Sequence, residues 1–186
     1  NDAFITKIGT DNVSPIANAG PDQTVEQASP SGAQVTLDGT SSSDPDNDPL
    51  TYTWTGPFGN ATGATPTVTM PLGINTVYLV VNDGTVDSEP DTVTITVQDT
   101  TVPVVSNTTA NPNPVAVNTT CLITAQINDS ASNIAYAEYR IDGMQWYNMN
   151  PITAGTNAVN VSTTMAGVTE STLLTVSVRG TDEEGN

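Results

Sequence analysis

The chain has no histidine, one cysteine and only three basic residues, Lys7, Arg140 and Arg179, among 186 positions. Each scarcity excludes a class of chemistry. Without histidine there is no Ser-His-Asp or Cys-His nucleophile system and no imidazole acid or base. One cysteine permits neither an intrachain disulfide nor a sulfur/imidazole zinc site. Too few bases remain to displace counterions from nucleic acid or to hold an anionic membrane surface. Long apolar runs are missing as well. Stretches such as Val77-Tyr78-Leu79-Val80-Val81 are strand-sized, which excludes membrane insertion of this segment. No signal peptide is visible, and the chain opens mid-pattern, as an excised or processed piece would.

What is present is acid. Twenty Asp and Glu residues give a formal charge of -17, although charged residues make up only 12% of the chain. The acid content is ordinary and the imbalance comes from the missing bases. The chemistry left open is a hard-cation site built from carboxylates, or no site at all.

Threonine alternates with apolar residues in Val35-Thr36-Leu37, Leu50-Thr51-Tyr52-Thr53-Trp54, Thr67-Val68-Thr69-Met70 and Thr92-Val93-Thr94-Ile95-Thr96-Val97. A period of two with one apolar and one hydroxyl face predicts half-buried antiparallel strands, and no window predicts a helix. Turn signals separate the runs at Asp38-Gly39, Asp44 to Pro49, Gly56-Pro57, Pro71 to Gly73, Asn82-Asp83-Gly84 and Glu89-Pro90. This rhythm predicts a β-sandwich of immunoglobulin type over residues 14–98. After a polar connector at 99–103 the rhythm restarts over 104–186, with strands expected at Val104 to Thr108, Thr119 to Asn128, Ala135 to Ile141, Gln145 to Met149, Ala158 to Ser162 and Thr172 to Arg179. The expected fold is therefore all-β, with two tandem immunoglobulin-like sandwiches, the second short of its last strand. An open edge there invites pairing with another strand. The strand-like segment Ala3 to Ile8 offers one from a neighbouring chain, as in self-association or a filament.

The strongest local feature is Asp44-Pro45-Asp46-Asn47-Asp48-Pro49. Carboxylates at i, i+2 and i+4 of a tight loop can converge on one ion, as in other oxygen-ligand calcium loops. Sandwich topology brings the Asn82 to Asp87 loop and the entering segment Asn12 to Asn18 to the same end. Asp44, Asp46 and Asp83 are the leading metal candidates, with Asn18 beside them and Asp48 and Asp87 on the solvent side. Oxygen-only donors favour calcium, at the weak extracellular affinity of about 10⁻⁴ to 10⁻³ M. The competing account is hydrated side-chain turns. Asp99, Asp129 and Asp182 repeat the arrangement in the second half. There a solvated acidic turn and a frayed terminus are the preferred account.

Residues 14–98 resemble a PKD-type (polycystic kidney disease-like) domain. The matching stretches are Pro15-Ile16-Ala17-Asn18-Ala19-Gly20-Pro21-Asp22-Gln23-Thr24-Val25, Leu37-Asp38-Gly39, Ser43-Asp44-Pro45-Asp46-Asn47-Asp48-Pro49-Leu50-Thr51-Tyr52-Thr53-Trp54 and Val80-Val81-Asn82-Asp83-Gly84. The family's Gly-Asp-Gly turn after the Trp strand is replaced by Gly56-Pro57-Phe58-Gly59. The resemblance implies an extracellular sandwich, often calcium-binding at the Asp44 end. Asp2-Ala3-Phe4-Ile5-Thr6-Lys7-Ile8 looks like the closing strand of a surface-protein β-propeller repeat, which marks residues 1–13 as a linker remnant. Ala137 to Gly143 and Val178 to Asn186 resemble immunoglobulin or fibronectin-III-like modules of microbial surface proteins.

Trp54 is expected in the core, Cys121 as a small buried hydrophobe, and Tyr136, Tyr139, Trp146 and Tyr147 as cross-strand packing. An exposed aromatic row there would instead favour polysaccharide binding. Asn-X-Ser/Thr triplets begin at Asn12, Asn60, Asn107, Asn118, Asn128 and Asn160, which suits a surface glycoprotein. The functional expectation is a non-enzymatic, extracellular spacer between neighbouring domains of a surface protein, stiffened by calcium. An enzyme is disfavoured, because paired carboxylates for glycoside hydrolysis need a cleft that small sandwiches rarely offer.

Overall fold

A computed structural model describes residues 11–111, 119–142, 145–149, 155–165 and 175–186. The Ala3 to Ile8 strand and part of the Asn118 triplet lie outside these residues. The described chain is all-β and divides into two compact units: residues up to Val25 with Ala33–Val97, and Glu26–Gly32 with Gln98–Asn186. No described helix is long and apolar enough to cross a membrane.

The first unit is built from β1 (Gln23–Glu26), β2 (Ala33–Thr36), β3 (Thr51–Gly56), β4 (Gly59–Thr62), β5 (Thr67–Met70), β6 (Gly73–Asn82) and β7 (Asp91–Gln98). A five-stranded sheet in the order β1-β7-β6-β3-β4 faces a two-stranded sheet, β2-β5. That order is the immunoglobulin arrangement. The alternation read from sequence becomes the burial pattern. Val35, Val68, Met70, Val77, Leu79, Val81, Val93, Ile95 and Val97 point into the core around a fully buried Trp54. The intervening threonines face outward, and Thr36 and Thr67 hydrogen-bond across β2 and β5 at 3.0 Å. Trp54 meets its polar requirement by donating Nε1–H to the Gly63 carbonyl at 3.0 Å. Gly56-Pro57-Phe58-Gly59 closes the β3–β4 hairpin with Gly56 paired to Gly59. Gly59 sits at φ 90, a conformation that favours glycine.

The second unit contains β8 (Val104–Asn111), β9 (Cys121–Asn128), β10 (Ile134–Ile141), β11 (Tyr147–Asn148), β12 (Ala158–Met165) and β13 (Val176–Asp182). Two three-stranded sheets, β12-β9-β8 and β11-β10-β13, pack around Ile123, Ile127, Ile134 and Ala137, with Cys121 buried among them. Gly180 on β13 explains one close approach, since a Cβ there would lie 2.5 Å from Ile127 Cγ2. By strand order β13 corresponds to β6. Beside β6 runs β7, whereas among the described residues β13 pairs only with β10.

Candidate metal centre

In the first unit the β2–β3 loop, the β6–β7 loop and the entering segment do meet. Ile16 and Ser43 form an antiparallel bridge, and Thr51 pairs with Asn82. Asp44 organises its own loop: Oδ1 accepts the amides of Asp46 (2.8 Å) and Asp48 (3.0 Å). Asn47 takes a positive φ of 62, which asparagine tolerates, and its amide donates to the Asp44 carbonyl at 3.1 Å. Asp46 Oδ2 accepts the Val13 amide at 2.8 Å.

Asp83 is buried and fully engaged. Its Oδ1 accepts the Thr85 and Val86 amides at 2.7 and 2.8 Å, and its Oδ2 accepts Asn12 Nδ2–H at 2.9 Å. The Val86 amide first, and then Asn12, hold its carboxyl below the usual carboxylate range. Asp38 is lowered in the same way by the Thr40 hydroxyl and then the Thr40 amide. Asp48 is exposed; Asp87 is exposed and accepts from Asn82 at 2.8 Å. Exposed Asn18 turns its Oδ1 to the Gly20 amide at 3.0 Å and does not join the Asp44–Asp83 group. The spare acceptor at this end is Asp44 Oδ2, which is buried without a donor.

The second unit is different. Asp99, Asp182 and Glu184 each place one carboxylate oxygen within 4.8 Å of the others, and among the described residues Asp44, Asp46 and Asp83 form no such trio. Rather than lying in a solvated turn and a frayed end, Asp182 is 1% exposed, Asp129 5% and Asp99 9%. The cause is a chain reversal after β13. The Asn186 amide donates to Asp182 Oδ1 at 2.8 Å, and Asn186 Nδ2 donates to the Asp99 carbonyl at 3.0 Å. The Glu183 amide donates to the Asn133 carbonyl at 3.0 Å.

Each buried Asp has one oxygen pinned by backbone amides. Thr101 N–H and Oγ1–H donate to Asp99 Oδ1 at 3.0 and 2.6 Å; the amides of Ala131 and Ser132 donate to Asp129 Oδ1 at 2.7 and 3.0 Å. The other oxygen, Oδ2 in all three, is buried with no hydrogen-bond partner. Bare buried acceptors of this kind are costly unless something positive reaches them. Spacing alone does not single out Glu184, exposed at the rim, as a ligand. The signal available was the acidic run Asp182-Glu183-Glu184 ahead of a Gly-Asn turn.

Neither described arginine answers those oxygens. Arg179 pairs with Glu138 at 2.6 Å, and both Arg179 and Arg140 lie over the Trp146 ring, 4.3 and 4.7 Å from its centroid. Tyr139 packs across the strands on Tyr147 at 5.7 Å between centroids. Tyr136 and Tyr147 are exposed, but Trp146 is half-buried and already covered by guanidinium. A groove of about 310 Å³ on the β8-β9-β12 sheet is lined by Asn107, Thr124, Gln126, Asn160 and Ser162, with no carboxylate.

Compared with known proteins, the chain matches no family model, and no curated relative aligns with it. Among solved structures it is similar to a nucleoside hydrolase-related hypothetical protein from Saccharophagus degradans that is associated with carbohydrate metabolism. That match has 23% identity and a TM-score of 0.38, over 47% of this chain and 26% of that one. It is also similar to the eight N-terminal immunoglobulin domains of Down Syndrome Cell Adhesion Molecule isoform 1.30.30, at 10% identity and a TM-score of 0.35, over 90% of this chain and 22% of that one. The chain thus spans about a quarter of each, and at these scores no ligand or activity transfers from either.

Proposed function

We propose that this chain is a non-enzymatic structural module of an extracellular, microbial cell-surface protein, PKD-like in its first unit and fastened at a loop end by calcium. The observation that carries the reading is the use made of the acids. Asp44, Asp46, Asp83, Asp99, Asp129 and Asp182 each bind backbone amides that join loops, turns or the entering segment, and four of the six keep a buried oxygen without a donor. Fastened loops resist local opening, which suits a spacer. The PKD-like assignment is supported by the motifs quoted above and by the immunoglobulin strand order of the first unit.

Scanning calorimetry of the chain in calcium and in chelator tests this. Calcium is expected to raise melting, and identical traces would remove calcium from the reading. A second reading, an accessory module for neutral polysaccharide, is favoured by the amide- and hydroxyl-lined groove at Asn107, Gln126 and Asn160. Retention on immobilised polysaccharide, abolished by Asn160→Ala, would support it over the spacer.

A further inference from the structure

We infer that Asp99, Asp182 and Glu184 constitute a calcium site of the second unit, one that needs no first-unit residue. The calcium in this inference rests on the functional reading above; the location does not. Oxygens sharing a calcium ion lie about 2.3–2.6 Å from it, so two of them stand at most about 5 Å apart. The trio's 4.8 Å limit satisfies that spacing as folded.

An acidic cluster alone would be unremarkable on a surface with a charge of -17. Here, however, Asp182 and Asp99 are at least nine-tenths buried, and each keeps an Oδ2 that no protein donor reaches. Their Oδ1 atoms are already held, by the Asn186 amide and by Thr101, so both carboxylates are fixed before any ion arrives. Pre-fixed ligands lower the ordering cost of binding. Both described arginines are engaged at Trp146, so among the described residues no base supplies the counter-charge, a role a small cation can fill. Hard oxygen donors without thiolate or imidazole select calcium over softer metals, and exposed Glu184 leaves an open side for the waters a six- to eight-coordinate ion needs.

The bound ion would join the first residue of the connector to the chain reversal after β13, segments that already touch through Asn186 and Asp99 across 87 positions of sequence. Titration calorimetry of the chelator-stripped chain with calcium chloride tests the assignment, alongside Glu184→Gln and, in the first unit, Asp46→Asn. Glu184 is exposed, so its replacement leaves the fold in place. Binding is expected at about 10⁻⁴ to 10⁻³ M, weakened about tenfold or more by Glu184→Gln and unchanged by Asp46→Asn. Parent-like binding in Glu184→Gln, or loss of binding in Asp46→Asn, overturns this location while calcium binding itself stands. No binding by the parent chain overturns both.

Discussion

The two units carry acids at equivalent loops and treat them in opposite ways. In the first, the segment entering the sandwich brings donors: Asn12 supplies a side-chain amide to Asp83 and Val13 a backbone amide to Asp46. In the second, the entering segment brings Asp99, another acceptor, to Asp182 and Glu184. Donors answer Asp83 and Asp46 from within the protein, which leaves Asp44 Oδ2 as the bare carboxylate oxygen of that end. An acceptor leaves the second with bare oxygens and a repulsion on the order of a few kcal/mol between neighbouring carboxylates. One amide exchanged for one carboxylate therefore separates a loop end with one bare carboxylate oxygen from one that gathers three carboxylates and calls for a cation.

The largest effects should identify which melting transition belongs to which unit. Trp54→Ala is expected to cost the first unit about 3–5 kcal/mol, and Ile127→Ala to cost the second about 2–5 kcal/mol, since both side chains are fully buried. Calorimetry of each variant should show one displaced transition and one unchanged.

Calcium comes next. At a hundredfold excess over its dissociation constant it should stabilise the second unit by about 2.7 kcal/mol and leave the Trp54 unit unmoved, measured by chemical denaturation followed separately in each unit. A shift confined to the first unit would invert the comparison.

Exchanging the decisive residue should erase the contrast. Asp99→Asn keeps the acceptor for Thr101 and adds a donor beside Asp182, as Asn12 does for Asp83. The calcium-free second unit should gain about 1 kcal/mol and lose its calcium response, read by melting with and without chelator. A retained response would show that the trio is not the site.

The smallest effect is acidic. Asp83 and Asp38 have carboxyls lowered by Val86, Asn12 and Thr40. Their contribution is complete above the ordinary carboxylate range and is lost as pH falls through their lower folded values. The first unit's transition should therefore hold on mild acidification and weaken below that range. Raising the pH from neutral should do nothing through these groups.

Strand positions were legible wherever threonine and apolar residues alternate, because that alternation is itself the buried face: β5 and β7 follow it almost residue for residue. β4 was not, since Gly59-Asn60-Ala61-Thr62 has no apolar alternation and is placed by the turn before it. The meeting of the Asp44 and Asp83 loops with the entering segment followed from topology. Two features did not. Burial of Asp182 depends on Asn186 folding back upon it, a contact within a segment that reads as a polar tail. Whether a neighbouring polar group donates or accepts also decides a site's need for a metal, and spacing says nothing of that.

One exposed arginine–glutamate contact is the ion pair among the described residues; elsewhere acids such as Asp91 and Asp22 hold backbone amides that carry no formal charge. Dissolved electrolyte therefore has little attraction to weaken, while it screens the mutual repulsion of a surface at -17. A fold fastened in this way should become firmer in brine, where proteins braced by surface ion pairs lose part of their bracing.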